Sequence, residues 1–217
     1  PSRFFERKFV EWGWPAGKFR YIPNYVDAQA FEPGFAAGDH FLYFGRLAPE
    51  KGVATLLKAA AQSGVALKIV GSGPEQARLH ALAAELGGRV EFLGFKSGAE
   101  LHVLVRHARA VVLPSEWYEN APMSVLESFA LGKPVIGARI GGIPEMVVDG
   151  ESGWTFDSLD TDQLAHLLAT VRDLPDEAVS ALGRSARARV VERFHRAGYQ
   201  QAMLALYADL GVKVTTQ

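Results

Sequence analysis

The chain has 217 residues, 48% of them hydrophobic and 22% charged, and its formal net charge is -1. A chain so close to neutral has no general basic excess to hold a phosphate backbone, so we expect no nucleic-acid partner. The absence of cysteine excludes disulfide bonds and Cys-ligated metals and favours a cytoplasmic protein. No apolar run reaches the roughly 18 residues of a membrane-spanning helix, so no transmembrane segment is expected.

The first residues predict an amphipathic helix over Ser2–Trp12, which ends at the Gly13 and Pro15 break. Its apolar face carries four aromatic residues, Phe4, Phe5, Phe9 and Trp12. A lone helix cannot bury that face, so we expect it to pack on another part of the protein. Because the sequence begins with Pro1 rather than Met, we expect a fragment or a processed form of a longer chain.

A linker is predicted next. Residues 18–26 read as a strand or extended segment containing the phrase IPNYVD, and residues 28–38 form a loop rich in Ala, Gly and Pro. From His40 onward short apolar runs alternate with helical patterns, as successive β/α units require. The runs predicted as strands are 41–44, 67–70, 90–93, 110–113, 134–137 and 154–156.

Helices are predicted between and after these strands, over 52–62, 74–86, 98–107, 122–131, 143–148 and 162–174. Right-handed crossovers then give a doubly wound, parallel, six-stranded sheet, which binds ligands at the carboxyl ends of its strands. After Pro175 the pattern is helical to about Leu210, with a break expected near Ala197 and Gly198.

The loop predicted after the first strand, GRLAPEKG, places Arg46 and Lys51 at the start of the next helix. A lysine there faces the positive end of the helix dipole, which costs roughly 0.3 to 1 kcal/mol when the side chain is exposed. A bound diphosphate would reverse the sign of that interaction. The alternative interpretation is two solvated charges in a surface turn.

The loops after the second and third strands offer backbone and aromatic contacts. In VGSGPE, Gly71 and Gly73 begin a dinucleotide fingerprint, but Gln76 replaces its third glycine, which excludes a nicotinamide site. We predict a tight turn there, with a backbone contact to a ligand as the alternative. In LGFKSGAEL, Phe95 and Lys96 lie where a flat base would pack against a side chain.

The stretch 114–132 runs from an apolar strand through an aromatic loop into a helix. Pro122 is predicted at the first helical position, where its missing N–H costs nothing. The amides of Met123, Ser124 and Val125 are then unpaired and, with the helix dipole, form an anion site.

Glu119 precedes this predicted anion site and Glu127 follows it on the helix. Carboxylates on both sides of an anion site indicate one elongated ligand, with hydroxyl groups at its ends and a diphosphate in the middle. The alternative is the acid and base pair of a hydrolase, whose carboxyl groups lie about 5 to 9.5 Å apart. A hydrolase of this kind would bind no phosphate at the anion site between the two carboxylates.

Two patterns that resemble metal sites are interpreted as structural. Residues 160–162 match D-x-D, but they precede a helix and predict capping. His102 and His107 are five residues apart on a helix and do not share a face well. The glycine pair 141–142 allows either a close backbone approach to a sugar or a simple β/α turn.

Six phrases follow one another within residues 20–157: IPNYVD, FGRLAPEKG, IVGSGPE, VEFLGF, VLPSEWYENAPMSVLESFALGKPVI and GGIPEMVVDGESGW. In this order they resemble the group 1 (family 4) glycosyltransferases, whose GT-B fold has two Rossmann-like domains facing across a cleft. The resemblance covers the second, nucleotide-sugar-binding domain. It implies a first domain outside this chain that supplies the acceptor site.

The resemblance also implies how the chain is divided. Residues 1–39 would be the end of the missing N-terminal domain and the interdomain linker. Residues 40–174 would form the Rossmann-like donor-binding domain, and residues 175–217 would be helices that pack back toward the N-terminal domain.

A donor site is implied as well. Arg46 and Lys51 would hold the diphosphate, Glu119 the sugar hydroxyls and Glu127 the ribose hydroxyls; Arg46, Lys51 and Glu119 are the implied catalytic residues. The base would lie against Phe95 and Lys96. The other implied donor-binding residues are Gly45, Gly71, Gly73, Asn120, Ala121, Met123 and Ser124.

The implied reaction transfers a sugar from a UDP-, GDP- or ADP-sugar to a glycan or lipid-linked acceptor, with retention at the anomeric carbon and without a metal or other cofactor. We expect a bacterial protein of cell-envelope polysaccharide synthesis, located in the cytoplasm or peripherally at the inner membrane face. This chain alone is expected to bind donor without transferring it. The alternatives are a non-catalytic nucleotide-sugar-binding module and a phosphorylase or epimerase of the same fold.

Overall fold

The computed structural model describes residues 1–212 as one parallel sheet with helices on both faces. The strands are β1 (Phe41–Phe44), β2 (Ala66–Val70), β3 (Arg89–Phe92), β4 (Ala110–Leu113), β5 (Val135–Ala138) and β6 (Gly153–Phe156). The helices are α1 (Arg3–Glu11), α2 (Val53–Ser63), α3 (Gln76–Leu86), α4 (Gly98–Arg106), α5 (Met123–Ala130), α6 (Ile143–Met146), α7 (Thr161–Asp173), α8 (Asp176–Arg193) and α9 (Arg196–Asp209). No helix within residues 1–212 has the length and apolar composition that crossing a bilayer requires.

The sheet confirms the predicted doubly wound, Rossmann-like α/β architecture. Its six strands are all parallel and lie in the order β3-β2-β1-β4-β5-β6. Every strand and helix predicted between residues 40 and 174 is present, with its ends within one or two residues of the prediction. Because the strand order reverses between β1 and β4, the loops leaving these two strands diverge and open a crevice between them.

The strands separate two apolar cores. Along β1, Phe41 and Tyr43 face the core formed with α2, α3 and α7. Leu42 and Phe44 face the opposite core, formed with α4, α5, α6 and α8. Since successive side chains point to opposite faces and both faces are covered, a strand of this sheet is apolar at every position.

The helical segment after Pro175 breaks at Phe194 and His195, so the predicted break is present but lies three residues before Ala197 and Gly198. Phe194 is only 8% exposed and turns into the core at the end of α8. His195 caps α9, because its Nδ1 accepts a hydrogen bond from the amide of Gly198 at 3.0 Å. Gly198 therefore belongs to the first turn of α9. Residues 213–217 of the segment predicted as 175–217 lie outside the described part of the chain.

The N-terminal segment lies against the loop that follows β4. α1 is shorter than predicted because Ser2 is its N-cap, whose Oγ accepts from the amide of Phe5 at 3.3 Å. No residue of α1 is buried, and the ring of Phe4 packs 4.8 Å from that of Tyr118. The linker after α1 contains two short 3-10 turns, Ala16–Lys18 and Ala28–Ala30, and joins no strand of the described sheet.

Candidate functional site

The strand order reverses between β1 and β4, and this position is called the switch point below. The loops after β1 and β4 meet there through Gly52. This residue has φ +66°, and a Cβ built on it would lie 1.9 Å from the carbonyl oxygen of Pro114. Next to it the amide of Glu116 donates to the carbonyl of Glu50 at 2.9 Å. The hydroxyl of Thr55 on α2 also donates to the Glu116 carboxylate at 2.6 Å. The two loops therefore form one unit only because position 52 has no side chain.

A pocket of about 290 Å³ lies over the carboxyl ends of β1, β2 and β3. Its floor is apolar, because Phe44 and Val70 are almost completely buried there. Five predicted donor-site residues line it, namely Gly45, Arg46, Gly71, Phe95 and Lys96. The Phe95 ring is 72% exposed, so the predicted loop presents an aromatic face to this pocket.

The glycines after β2 bring the β2 loop against the β1 loop. A Cβ on Gly71 would lie 1.8 Å from the carbonyl oxygen of Gly45, and one on Gly73 would lie 2.2 Å from that of Leu47. The amide of Leu47 also donates to the carbonyl of Ser72 at 2.9 Å. The tight turn predicted at VGSGPE is therefore present. The contacts of Gly71 and Gly73 with a donor stay a prediction.

Lys51 and Glu119 form an ion pair across the two switch-point loops. Lys51 Nζ lies 2.6 Å from Glu119 Oε1, and the hydroxyl of Ser115 donates to the same oxygen at 2.9 Å. Both charged side chains are mostly buried, at 28% and 17% exposure. Lys51 ends a short 3-10 turn, two residues before α2, rather than lying in the first turn of that helix.

A buried tyrosine supports the β1 loop from below. Tyr43 is 1% exposed, and its hydroxyl donates to the carbonyl of Arg46 at 2.7 Å. Burial, with the nearby carboxylates of Glu119 and Glu50, raises the pKa of the Tyr43 phenol well above its ordinary value. The phenol therefore remains a neutral donor under the loop at any physiological pH.

The N-terminus of α5 differs from the prediction by one residue. Pro122 has φ -65° and ψ 124°, so it is the N-cap and Met123 is the first helical residue. The amide of Val125 donates to the carbonyl of Pro122 at 3.2 Å, so the prediction that this amide is unpaired is wrong. Among residues 1–212 the amides of Met123 and Ser124 have no backbone acceptor, and they form the open end of the helix.

Glu127 lies one turn further along α5 with a half-buried side chain. Burial raises the pKa of its carboxyl. Among residues 1–212 no hydrogen bond to the carboxylate offsets that burial, and its oxygens are not sealed from solvent. The carboxylate can therefore accept hydrogen bonds from a ligand in the crevice.

The glycine pair after β5 supports the loop that carries Glu119. The amide of Gly142 donates to the carbonyl of Glu119 at 2.7 Å. A Cβ on Gly141 would lie 2.2 Å from that same oxygen, and one on Gly142 would lie 1.9 Å from the carbonyl oxygen of Asn120. Residues 141–142 therefore approach the protein backbone at the site closely, and their approach to a sugar stays a prediction.

Two residues outside the predicted site hold the same loop. The Ser2 hydroxyl donates to Asn120 Oδ1 at 2.6 Å, and Asn24 Nδ2 donates to the carbonyl of Ala121 at 3.0 Å. Sequence reasoning missed both because these pairs are 118 and 97 residues apart along the chain. The only available signal was that Asn24 lies in the phrase IPNYVD.

The predicted capping at residues 160–162 is confirmed. Asp160 precedes α7, and its carboxylate accepts from the amide of Gln163 at 2.8 Å. His107 is exposed and bonds to the carbonyl of Val103 at 2.8 Å, whereas the ring of His102 packs 4.8 Å from that of Phe31. Asp160, His107 and His102 thus each make a contact with the protein itself.

The sequence matches the family model described as glycosyl transferases group 1 over residues 29–189. A D-inositol 3-phosphate glycosyltransferase of Acidothermus cellulolyticus is 33% identical to 94% of this chain, which covers 51% of that relative. A putative colanic acid biosynthesis glycosyltransferase, WcaL of Salmonella typhimurium, is 30% identical to 74% of the chain, which covers 43% of it. The chain thus spans about half the length of these curated relatives.

Solved structures share the fold. Anabaena HepE, in complex with UDP and glucose, superposes with a TM-score of 0.87 at 25% identity, covering 96% of this chain and 62% of that protein. Sucrose-phosphate synthase of Thermosynechococcus elongatus gives a TM-score of 0.86 at 29% identity, covering 96% and 57%. The doubly wound sheet is therefore the fold of GT-B glycosyltransferases, and the family match spans most of the chain. The chain belongs to the group 1 glycosyltransferases.

Proposed function

We propose that this chain is the donor-binding part of a retaining glycosyltransferase and that it binds a nucleotide-diphospho-sugar along the crevice at the switch point. The observation that carries the proposal is Glu127, a half-buried carboxylate without a protein donor, beside the two unpaired amides of Met123 and Ser124. A ribose with two adjacent hydroxyls would satisfy the carboxylate. A phosphate would satisfy the amides.

The pocket beside Phe95 supports the placement of the base at one end of the donor. Its apolar floor and exposed aromatic ring favour a flat heterocycle, since stacked rings bury area with little loss of conformational entropy. Among the solved structures, Anabaena HepE was crystallised with UDP and glucose, and by analogy we propose UDP-glucose as the first donor to test.

The charges of the crevice support a leaving diphosphate that needs no metal. When the bond between the anomeric carbon and the diphosphate oxygen breaks, negative charge accumulates on that oxygen. Arg46 and Lys51 supply two cations on the loop after β1, and the open amides of α5 supply partial positive charge from the other side. Glu119 would orient the sugar hydroxyls, which requires Lys51 to turn from Glu119 toward the phosphates.

In this proposal the acceptor-binding site belongs to another part of the enzyme. The curated relatives are about twice as long as this chain, and the resemblance covers the donor-binding half of the family fold. We therefore propose that a glycan or lipid-linked acceptor, and the residues that activate it, belong to a second domain. Retention at the anomeric carbon is carried over from the family resemblance.

Calorimetric titration with UDP, GDP, ADP and their glucose conjugates tests the proposal. We expect one nucleotide series to bind with one-to-one stoichiometry, and we expect affinity to be unchanged when a chelator replaces magnesium. Failure of all six ligands to bind at millimolar concentration would contradict a donor site in this chain. A strict requirement for magnesium would contradict the metal-free part of the proposal.

Glu127→Ala and Lys51→Ala are each expected to weaken UDP-glucose binding about 10- to 100-fold. A hydrogen bond to a charged group contributes about 1.5 to 3 kcal/mol, and each 1.4 kcal/mol is about a factor of ten in affinity. Glu85→Ala on α3 and Lys58→Ala on α2 are matched controls, because both side chains are exposed and neither lines the base pocket or joins the ion pair of Lys51 and Glu119. Unchanged affinity in both site variants would show that the residue roles are wrong even if the ligand binds.

A further inference from the structure

We propose that Asn24 is a positioning residue for the donor site. Its side-chain amide donates to the carbonyl of Ala121 at 3.0 Å, across 97 residues of chain, and so holds the loop that lies between Glu119 and α5. This inference rests on the proposed function, because the loop matters for binding only if the crevice takes a nucleotide sugar.

The loop is held residue by residue from three different segments. The carbonyl of Glu119 accepts from the amide of Gly142, the side chain of Asn120 accepts from Ser2, and the carbonyl of Ala121 accepts from Asn24. These contacts fix the backbone immediately before the N-cap of α5. The backbone that carries Glu119 therefore depends on groups that lie outside the crevice, whereas Lys51 and Ser115 hold its carboxylate.

Asn24 can position the loop only if its own backbone is fixed, and the next two residues anchor it. The ring of Tyr25 packs 4.9 Å from that of Tyr199 on α9. Val26 is 6% exposed, and its amide donates to the carbonyl of Phe194 at 3.0 Å, at the corner between α8 and α9. The linker at Asn24 thus connects the corner between α8 and α9 to the loop of residues 119–121.

A second anchor holds the far end of α5 to the same linker. The guanidinium of Arg187 on α8 donates to the carbonyl of Ala28 at 2.6 Å and to that of Phe31 at 3.2 Å, and it also bonds to the carbonyl of Ala130. The linker therefore contacts α5 through Arg187 at its C-terminal end and through Asn24 just before its N-terminal end. Loss of the Asn24 bond would remove one of the three contacts at the end that faces the donor and would leave the Arg187 contacts in place.

The loop carries the carboxylate predicted to contact the sugar, whereas the base pocket lies on the loops after β1, β2 and β3. A shift of the loop should therefore weaken binding of the sugar more than binding of the nucleotide. Displacement of a positioned group by about 1 Å commonly costs a large factor in binding or rate. A general loss of stability would instead reduce both affinities in proportion to the folded fraction.

Calorimetry on wild type, Asn24→Leu and Asn24→Asp, with UDP and UDP-glucose as probes, tests the inference. Leucine keeps the size and removes the donor, and aspartate places an acceptor against the Ala121 carbonyl. We expect UDP-glucose affinity to fall about tenfold and UDP affinity to change less than about threefold. Ser63→Ala is the control, because it removes a half-buried hydroxyl-to-carbonyl bond at the far end of α2.

Hydrogen exchange provides a second measurement that does not depend on ligand. We expect faster exchange of the Gly142 and Val125 amides, which donate to the carbonyls of Glu119 and Pro122, in Asn24→Asp, with unchanged exchange in β5. Equal losses for UDP and UDP-glucose, or affinities matching those of Ser63→Ala, would overturn the positioning role while leaving the proposed function intact. If wild type binds neither probe, the proposed function fails and the positioning role fails with it.

Discussion

Gly52→Ala is expected to destabilise the protein by ~4 kcal/mol and to abolish UDP-glucose binding. Alanine at φ +66° carries a conformational cost of ~1 to 2 kcal/mol. The added Cβ would lie 1.9 Å from the carbonyl oxygen of Pro114, where backbone rather than a flexible side chain must move. Separating the two loops adds an overpacking cost of ~1 to 3 kcal/mol. Urea unfolding measures the first effect and calorimetry the second.

Gly64→Ala is a closely matched control for this prediction. Gly52 and Gly64 flank the two ends of α2 with nearly the same backbone, φ 66° and ψ 21° against φ 67° and ψ 18°. A Cβ on Gly64 would have no heavy atom within 4 Å. We therefore expect Gly64→Ala to cost only the conformational ~1 to 2 kcal/mol and to leave binding unchanged. Equal destabilisation by both substitutions would show that the loop contact contributes nothing.

The contrast between these glycines shows what the sequence could not reveal. Both follow the same local rule, that a residue in the left-handed region is usually glycine. Only the folded chain brings Pro114 over one of them. The same holds for Asn24, whose partner lies 97 residues away, and for the ion pair of Lys51 and Glu119, which belong to loops of different β/α units.

The strands and the order of the loops were predictable, because they depend on short-range pattern. A buried parallel strand is apolar at every position and is bounded by turn residues, and Phe41–Phe44 meets that description without reference to the rest of the chain. Once the crossovers are right-handed, the loops that carry Arg46, Phe95 and Glu119 must leave the same edge of the sheet.

The break between α8 and α9 lies three residues before Ala197 and Gly198 because tertiary contacts outweigh local helix propensity. Local propensity favours an interruption at Gly198, since glycine weakens a helix interior. The structure ends α8 earlier, where Phe194 becomes buried, and His195 then satisfies the amide of Gly198. Tertiary burial of one phenylalanine and one side-chain cap outweigh the propensity of the glycine.

Lys133, in the phrase GKPVI, is a buried charged residue whose burial the sequence did not predict. Its side chain is 1% exposed, and its ammonium donates to the carbonyl of Ala36 at 2.6 Å, at the edge of the sheet opposite the crevice. Burial lowers the pKa of the Lys133 amine from 10.5 to about 8. The residue therefore destabilises the fold whenever it must remain protonated.

The free energy of unfolding should therefore rise with pH from about 8 to 10.5, by up to ~3 kcal/mol from this group alone. In that window the unfolded chain binds a proton at Lys133 that the folded chain has released, so raising the pH favours the folded state. Below the window both states are protonated, and the full penalty is present. Lys133→Met keeps a similar volume and removes the titrating group, so its stability should lack this rise.

Urea unfolding of wild type and Lys133→Met across this range measures the prediction as the difference between their pH profiles. The difference is the informative quantity because Tyr43, whose pKa is raised by burial above its ordinary value of 10.0, makes stability fall from about pH 10 upward in both proteins. Its contribution cancels in the comparison. Parallel profiles through the window would mean that water reaches the ammonium in the folded state. Profiles that diverge would show that burial of the Lys133 ammonium lowers the free energy of unfolding. Because Lys133 lies at the edge of the sheet opposite the crevice, Lys133→Met should leave UDP-glucose affinity unchanged.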